Sequence, residues 1–476
     1  MKVSKLTFTL LSALVLSACT NMSNDGSLQK STARLSTMAL YLQKAQQDYQ
    51  QYQDITKQYQ INEQWWLGYN DTQLNRLVET ALANNINLAK TAISVNKALY
   101  NANLVGANLV PTFTASEKSS ASKGVGSSSN LNSTGTSSIG HQISLNLSYT
   151  LDLWGRLRDT ASAAEWEHKA TQKDLQAARL SLINAVVSSY YNLAYYQDAI
   201  RITQQSIKSY EQINRILSNK FKQGLIDQLS VDQSMQAVLS AQNALINLQS
   251  AQKSSEQVLR NLLNLKPNEP LVVNYPSILK VKLQDVDVNV PVSTIANRPD
   301  VLASLQRLQG AFKNLTATEN SWFPTVTLGG SLTGSSTKFN NTSDNPVAGG
   351  VVSFDLPFLD WNRVQNNIKI SEESYKLAKL NYEQTVTTAL NEIDTYYSTY
   401  QLSKSGYANL QKKYEYDRKI SGYYKNRYDQ GISELREWLS AMNTERSSEL
   451  SLLENKYTLL KNENAIYQAM AGKYRK

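Results

Sequence analysis

Residues 156–223 run for 68 positions without a glycine or proline, and residues 225–266 for another 42. Both stretches are rich in alanine, leucine, glutamine, lysine and glutamate, which are strong helix formers. At 1.5 Å per residue the first alone could reach about 100 Å. Gly224 between them supplies the positive-φ residue that a turn joining two antiparallel helices needs. The arrangement recurs further along: residues 358–405 and 432–471 lack breakers, and Gly431 stands at the equivalent turn. Phe221-Lys222-Gln223-Gly224-Leu225 aligns with Tyr428-Asp429-Gln430-Gly431-Ile432 at an offset of 207, which also maps Trp154-Gly155-Arg156 onto Trp361-Asn362-Arg363. Upstream, residues 84–111 parallel residues 297–324, each an amphipathic helix running into a proline. The chain is an internal duplication.

Composition agrees. Among 476 residues there are only 19 Gly and 9 Pro, about half the usual combined share of roughly 12%, which argues against loop-dominated architectures. One cysteine and two histidines cannot build a disulfide framework or a Cys/His zinc site. His141 and His168 lack companion ligands, and with no catalytic constellation visible neither enzyme activity nor a cofactor is expected. Mean hydropathy is −0.42, and outside the N-terminus no apolar run approaches the roughly 18 residues of a membrane-spanning helix. The net charge of +9 is dispersed among Asp and Glu rather than gathered into the stripe a nucleic-acid interface requires.

The N-terminus reads as an export signal. Lys2 and Lys5 form a basic region, residues 6–16 an apolar core too short to span a bilayer, and Leu16-Ser17-Ala18-Cys19 follows. This resembles a bacterial lipoprotein signal, which implies cleavage of residues 1–18, lipidation of Cys19 and, with Thr20 next, sorting to the outer membrane. Loss of Lys2 and Lys5 lowers the net charge to +7. Several acyl chains, each worth about 0.8 kcal/mol per buried CH₂, make a firm anchor.

Between the helical blocks the periodicity changes. Ile143, Leu145, Leu147, Tyr149 and Leu151 alternate with polar residues, as do Val326, Leu328, Gly330 and Leu332, the period-two signature of a strand with one apolar face. Residues 348–357 give a third run and residues 111–117 a weaker fourth, while residues 118–140 and 335–346, rich in Ser, Gly, Asn and Thr, read as exposed loops. Each run is near the 9–11 residues of a tilted membrane strand, although the edge of a soluble sandwich alternates too. Four strands cannot close a barrel, and open edges are not tolerated in hydrocarbon. Two copies give eight strands, filled by side chains, whereas three give twelve and a lumen.

Leu151-Asp152-Leu153-Trp154-Gly155-Arg156-Leu157-Arg158 after the second strand, and Asn297-Arg298-Pro299-Asp300-Val301 upstream of Phe323-Pro324, resemble the most recognisable segments of the TolC/OprM-type outer membrane factors, in particular the lipoprotein branch serving resistance-nodulation-division pumps. The resemblance runs from about Trp65 to Gly472. It implies a mainly α fold with a membrane β-barrel: a TolC-like homotrimer, twelve strands continuous with a long periplasmic α-helical barrel. It divides the chain into a signal peptide (1–18), a lipidated N-terminal segment contributing to an equatorial belt (19–68), a first repeat (69–266, strands 111–117 and 141–151, helices 156–223 and 225–266), a linker (267–292), a second repeat (293–472, strands 324–333 and 348–357, helices 361–430 and 432–471) and a tail (473–476). The implied activity is passive conduction of drugs and other small toxic compounds, with an inner-membrane pump and a periplasmic adaptor as partners. A type I protein-secretion channel uses the same fold and is the alternative.

The same resemblance points to sites. Trp154, Gly155, Arg156 and Trp361 mark the barrel junction, with the tryptophans either interfacial anchors or core. Gly224 and Leu225, with Gly431 and Ile432, are the expected adaptor-docking tip. The resting gate is expected at the start of the helix after the second turn, where the family's acidic ring falls on Ser440 and a following arginine on Asn443, so this sequence departs from the pattern. Tyr428 fits the aromatic position, and Glu434, Arg436 and Glu437 can supply displaced charge or simply be solvated helix-start residues favoured by the dipole. Trp65 and Trp66 read as packing, and Asp152, Arg298 and Asp300 as caps or ion pairs.

Overall fold

The computed structural model describes residues 27–57, 60–123, 137–287 and 289–475. Cys19 and the signal segment lie outside the described residues. The chain forms α1 (Ser27–Thr56), β1 (Gln60–Asn62), α2 (Thr72–Asn84), α3 (Ile86–Gly106), β2 (Thr112–Lys123), β3 (Ser137–Leu151), α4 (Arg156–Lys222), α5 (Gln228–Leu263), α6 (Pro299–Asn320), β4 (Thr325–Ser336), β5 (Val347–Asp355), α7 (Trp361–Asp429), α8 (Leu435–Ala469) and β6 (Lys473–Arg475). α4 and α7 have 67 and 69 residues, the duplicated long helices their glycine- and proline-poor sequences call for. Among the described residues no helix is long and apolar enough to cross a membrane.

One compact unit comprises residues up to Asp48, Val95–Thr171 and Ala303–Glu383. Its centre is an antiparallel meander in the order β2-β3-β4-β5. The register places Leu145 opposite both Ala115 and Leu332, and Leu328 opposite both Tyr149 and Val352, so the apolar residues of β2, β3 and β4 share one face with Val352 and Phe354 of β5. That face is bare: Phe113, Leu145, Leu332 and Phe354 are 69%, 46%, 47% and 49% exposed. The strands differ from the sequence expectation at the hairpin. β2 runs on to Lys123 and β3 starts at Ser137, so residues 118–123 and 137–140, read as loop, are paired. Their low intrinsic strand propensity is overridden by the continuing ladder, helped by hydroxyl pairs such as Ser122 with Ser138 at 2.8 Å. β4 likewise reaches Ser336, and β5 stops at Asp355 because Pro357 opens a short 3-10 turn.

Also in this unit, α1 is held on α7 by two tyrosines one heptad apart. Tyr375 Oη donates to Met38 O at 2.7 Å and Tyr382 Oη to Ala45 O at 3.3 Å. Lys313 pairs with Asp159 at 2.8 Å, tying α6 to α4.

The other unit comprises Tyr49–Ser94, Gln172–Leu302 and residues from Gln384 onward. Its larger core gathers Trp65, Trp66, Leu74, Val78, Ile183, Val186, Tyr190, Leu259 and Leu460. Trp65 is wholly buried, its indole N–H donating to Asn464 Oδ1 at 2.7 Å. Asp71 caps α2 through Gln73 and Leu74 N–H and accepts a bond from Tyr190 Oη at 2.7 Å. The tail does not end free: β6 pairs with β1, Ile61 opposite Tyr474. Arg298 is buried, bridging Asp300, Glu392 and the carbonyl of Ala469 at 2.7, 2.9 and 3.2 Å.

Candidate functional site

Gly224 and Gly431 build the two helical turns in the same way. Their φ angles are 72° and 73°, and each turn closes with a pair of backbone bonds: Leu225 N–H to Lys220 O (3.0 Å) with Gly224 N–H to Phe221 O (2.8 Å), and Ile432 N–H to Arg427 O with Gly431 N–H to Tyr428 O (both 2.9 Å). This is the Schellman arrangement, which demands a left-handed residue at that position. No atom lies within 4 Å of where a Cβ would sit on either glycine, so only backbone conformation selects glycine there. Leu225 and Ile432 beside them are 67% and 59% exposed.

The turns diverge at the start of the following helix. Asp227 caps α5, its carboxylate accepting from Ser230 N–H at 3.1 Å and Ser230 Oγ at 2.8 Å. The offset of 207 puts Glu434 in that place, and its side chain makes no capping bond. Glu437 instead accepts a hydrogen bond from Ser433 Oγ, and Arg436 faces Glu434 at 3.8 Å with both side chains about three-quarters exposed. The helices begin at Gln228 and Leu435, three residues later than the unbroken runs suggest, because the residues after each glycine are spent leaving the turn. α5 ends early too, at Asn264 with φ 57°.

Tyr428 is packed rather than free. Its ring stacks on Trp438 at 5.4 Å between centroids and 30° between planes, with Lys220 Nζ 5.6 Å from the ring centre. Both rings lie against a core of Ile213, Leu217, Leu435 and Leu439, so Leu435 is interior. Arg436, Ser440 and Asn443 follow the i, i+4, i+7 spacing of one helix face and line a cavity of about 590 Å³ with Lys413 and Gln236. Asn443 Oδ1 accepts from the buried Tyr210 hydroxyl at 2.9 Å. The structure thus separates the six gate candidates: Tyr428 is half-buried in the packed stack, whereas Glu434, Arg436, Glu437, Ser440 and Asn443 are exposed, Asn443 still accepting the Tyr210 hydroxyl bond. Two participants escaped sequence reading. Trp438, ten residues beyond Tyr428 across a turn, has no periodic signal, and Lys413 is held by Asp417 at 2.5 Å and by Ser448.

At the sheet-to-helix junctions, Trp154 donates from Nε1 to Pro324 O at 2.9 Å and stacks on Phe323 at 4.8 Å, and Trp361 meets Trp322 edge-on at 4.8 Å. The Asp152 carboxylate accepts from Leu157 and Arg158 N–H at 2.9 and 3.0 Å, capping α4 as its place in the sequence suggests, while Gly155 (φ 79°) turns the chain before Arg156 opens that helix.

Residues 77–265 and 290–472 each match the outer membrane efflux protein family. This chain belongs to that family. The two matched stretches each hold one long hairpin and one strand pair, the duplication read from the sequence. The chain is 51% identical, over 99% of its own length and 98% of the relative's, to a protein named toxin and drug export protein A of Aggregatibacter actinomycetemcomitans. Among solved structures it resembles the Campylobacter jejuni CmeC outer membrane channel, with 26% identity, 87% of this chain and 88% of that one covered, and a TM-score of 0.79. The open Neisseria gonorrhoeae MtrE outer membrane channel shares its fold at 23% identity, 84% and 89% coverage and a TM-score of 0.74. For an outer membrane efflux protein, an apolar sheet face left bare in one chain and a helical hairpin closed by an aromatic stack are the two features that need a functional account.

Proposed function

We propose that three copies of this chain form the exit channel of a tripartite efflux system, passively conducting drugs and other small toxic compounds handed over by an inner-membrane pump and a periplasmic adaptor. The observation that carries this is the four-stranded sheet. Its apolar face is exposed, and β2 and β5 have no strand partner on their outer edges among the described residues, so only closure with further copies satisfies the edges in hydrocarbon. Three copies supply twelve strands and a lumen. Native mass measurement in detergent is expected to give three chains, and a deletion strain expressing its pump is expected to gain drug susceptibility. A monomer or dimer with pore activity sinks the architecture, and unchanged susceptibility sinks the substrate class.

A type I protein-secretion channel is favoured by one observation: the 51%-identical relative is named for toxin as well as drug export. Retention of a co-expressed secreted protein by the same deletion strain, with drug susceptibility unaltered, selects that reading.

Two finer assignments belong to the proposal. Cys19 carries the lipid anchor, so Cys19→Ser abolishes palmitate labelling and leaves uncleaved precursor; labelling that persists removes the assignment. The resting closure rests on packing around Tyr428 rather than on carboxylates, because the aromatic stack is partly buried while Glu434 and Glu437 are solvated and already partnered. Tyr428→Ala is expected to raise single-channel conductance severalfold, with the Glu434→Gln/Glu437→Gln pair unchanged in the same salt. The reverse pattern places the gate on the acidic groups.

A further inference from the structure

The face of the sheet opposite the apolar one has a chemistry of its own. By register it consists almost wholly of Ser, Thr, Asn, Gln and Gly, with Val347 and Val351 on the edge strand. Its hydroxyls bond across strands, Ser116 to Ser144 at 2.8 Å and Thr150 to Thr327 at 3.2 Å. Among the described residues of the sheet, two charged side chains occupy this face: Lys118 on β2, opposite Gln142, and Asp355 on β5, opposite Thr325. Gln142 is itself opposite Ser335, ten residues along β4 from Thr325, which separates the two charges by about 34 Å along the strands. Asp355 is therefore several Debye lengths from Lys118, about 10 Å each at 0.1 M salt. Of the two connections at the end of the sheet away from Asp355, residues 124–136 contain no charged residue, and residues 337–346 contain one of each sign, Lys338 and Asp344. Glu117, the immediate neighbour of Lys118, lies on the other face opposite Ile143, where it accepts a bond from Ser119 at 2.5 Å.

We infer that Lys118 sets the ion selectivity of the barrel section, its ammonium groups forming a ring that favours anions and anionic substrates. The inference rests on the trimeric pore proposed above. In that pore the polar face lines the lumen and Lys118, midway along β2, recurs three times. A ring of like charges against low-dielectric walls focuses its field into the lumen, and an uncharged hydroxyl lining leaves that field unopposed. The alternation of Glu117 and Lys118 makes the face assignment itself testable, since one residue meets lipid and the next meets permeating ions.

The test is the reversal potential of the full-length channel in planar bilayers under a potassium chloride gradient, with the trimer in each preparation verified by native mass. Lys118→Glu is expected to shift the chloride-to-potassium permeability ratio toward potassium by about fivefold at roughly 0.1 M salt, and by far less near 1 M, where the Debye length falls to about 3 Å. Lys118→Gln, the milder change, is expected to move it in the same direction by a smaller factor, and Glu117→Gln to leave it unmoved. A trimeric pore indifferent to both Lys118 variants overturns the assignment alone. A shift produced by Glu117→Gln instead overturns the facing of the sheet and the assignment with it, and a wild-type preparation that is not trimeric overturns the pore and the assignment together.

Discussion

Trp65→Ala is expected to destabilise the unit containing β1 and β6 by about 3–5 kcal/mol, the range for removing a buried tryptophan. The indole is fully buried, meets Trp66 edge-on at 5.5 Å and donates to Asn464. Alanine leaves both a cavity and an unpartnered amide oxygen. Asn464 also donates to Asn184 O at 3.1 Å, and the backbone carbonyl of Trp65 accepts from Gln284 Nε2 at 2.7 Å, so the loss reaches α4, α8 and the linker at once. Trp65→Phe keeps most of the volume and loses mainly the hydrogen bond, for a cost nearer 1–2 kcal/mol. Thermal unfolding of the detergent-solubilised protein, followed by circular dichroism, separates the two. Equal losses in both variants would show that the bond to Asn464, not the packing, is what matters.

Glu463 is expected to make stability fall as pH rises from about 4.5 to 7. The residue is fully buried and accepts from Tyr69 Oη at 2.9 Å and Gln284 N–H at 2.8 Å. Burial pushes its carboxyl up to about 7, outweighing the opposing pull of those two donors and of Lys473, with Asp285 adding to the rise. Within the same cluster, burial lowers the affinity of Lys456 for its proton. Over this window the folded chain keeps a proton that the unfolded chain has released, so folding becomes less favourable as pH increases. The full swing is about 3 kcal/mol at most. Glu463→Gln cannot ionise; its one oxygen keeps the bond from Gln284 N–H, which Oε1 accepts, and its amide NH₂, standing where Oε2 accepts from the Tyr69 hydroxyl, can donate to that hydroxyl instead. The variant's thermal midpoint should match the wild type near pH 5 and exceed it near pH 8. A difference that is constant with pH would assign the effect to altered packing instead of ionisation.

Much of the fold was legible because its signals are local. A helix is announced by what is missing, and α4 and α7 fill stretches where composition alone favours continuous i to i−4 bonding. α7 even runs through Gly406 and Gly422, where long-range packing outweighs a penalty of about 1 kcal/mol per glycine. The period-two runs located all four strands of the sheet, since alternation records which face is apolar. The ends of β2 and β3 were not legible, because Ser, Lys and Gly carry no strand preference and become strand only by being opposite each other.

The candidate site was visible only in part for a similar reason. The two turns were plain from Gly224 and Gly431, whose positive φ is a requirement of the local backbone. The stacking of Tyr428 on Trp438, the bond from Tyr210 to Asn443 and the interior position of Leu435 depend on how three helices meet, which no spacing within one helix encodes.

By itself, the sequence determined the duplicated helical hairpins, the glycine turns, the two-faced strands and the need for more than one chain to close a membrane sheet. Those follow from backbone propensity, periodicity and the cost of unpaired polar groups in hydrocarbon. Only the tertiary structure decided the rest: that Lys473–Arg475 pairs with Gln60–Asn62, that Glu463 is enclosed between Tyr69 and Gln284, and that the charges beside Gly431 remain solvated while the aromatic residues are packed. Each depends on residues brought together across turns or from opposite ends of the chain, and burial, the quantity that sets their energies, does not exist until the chain has folded.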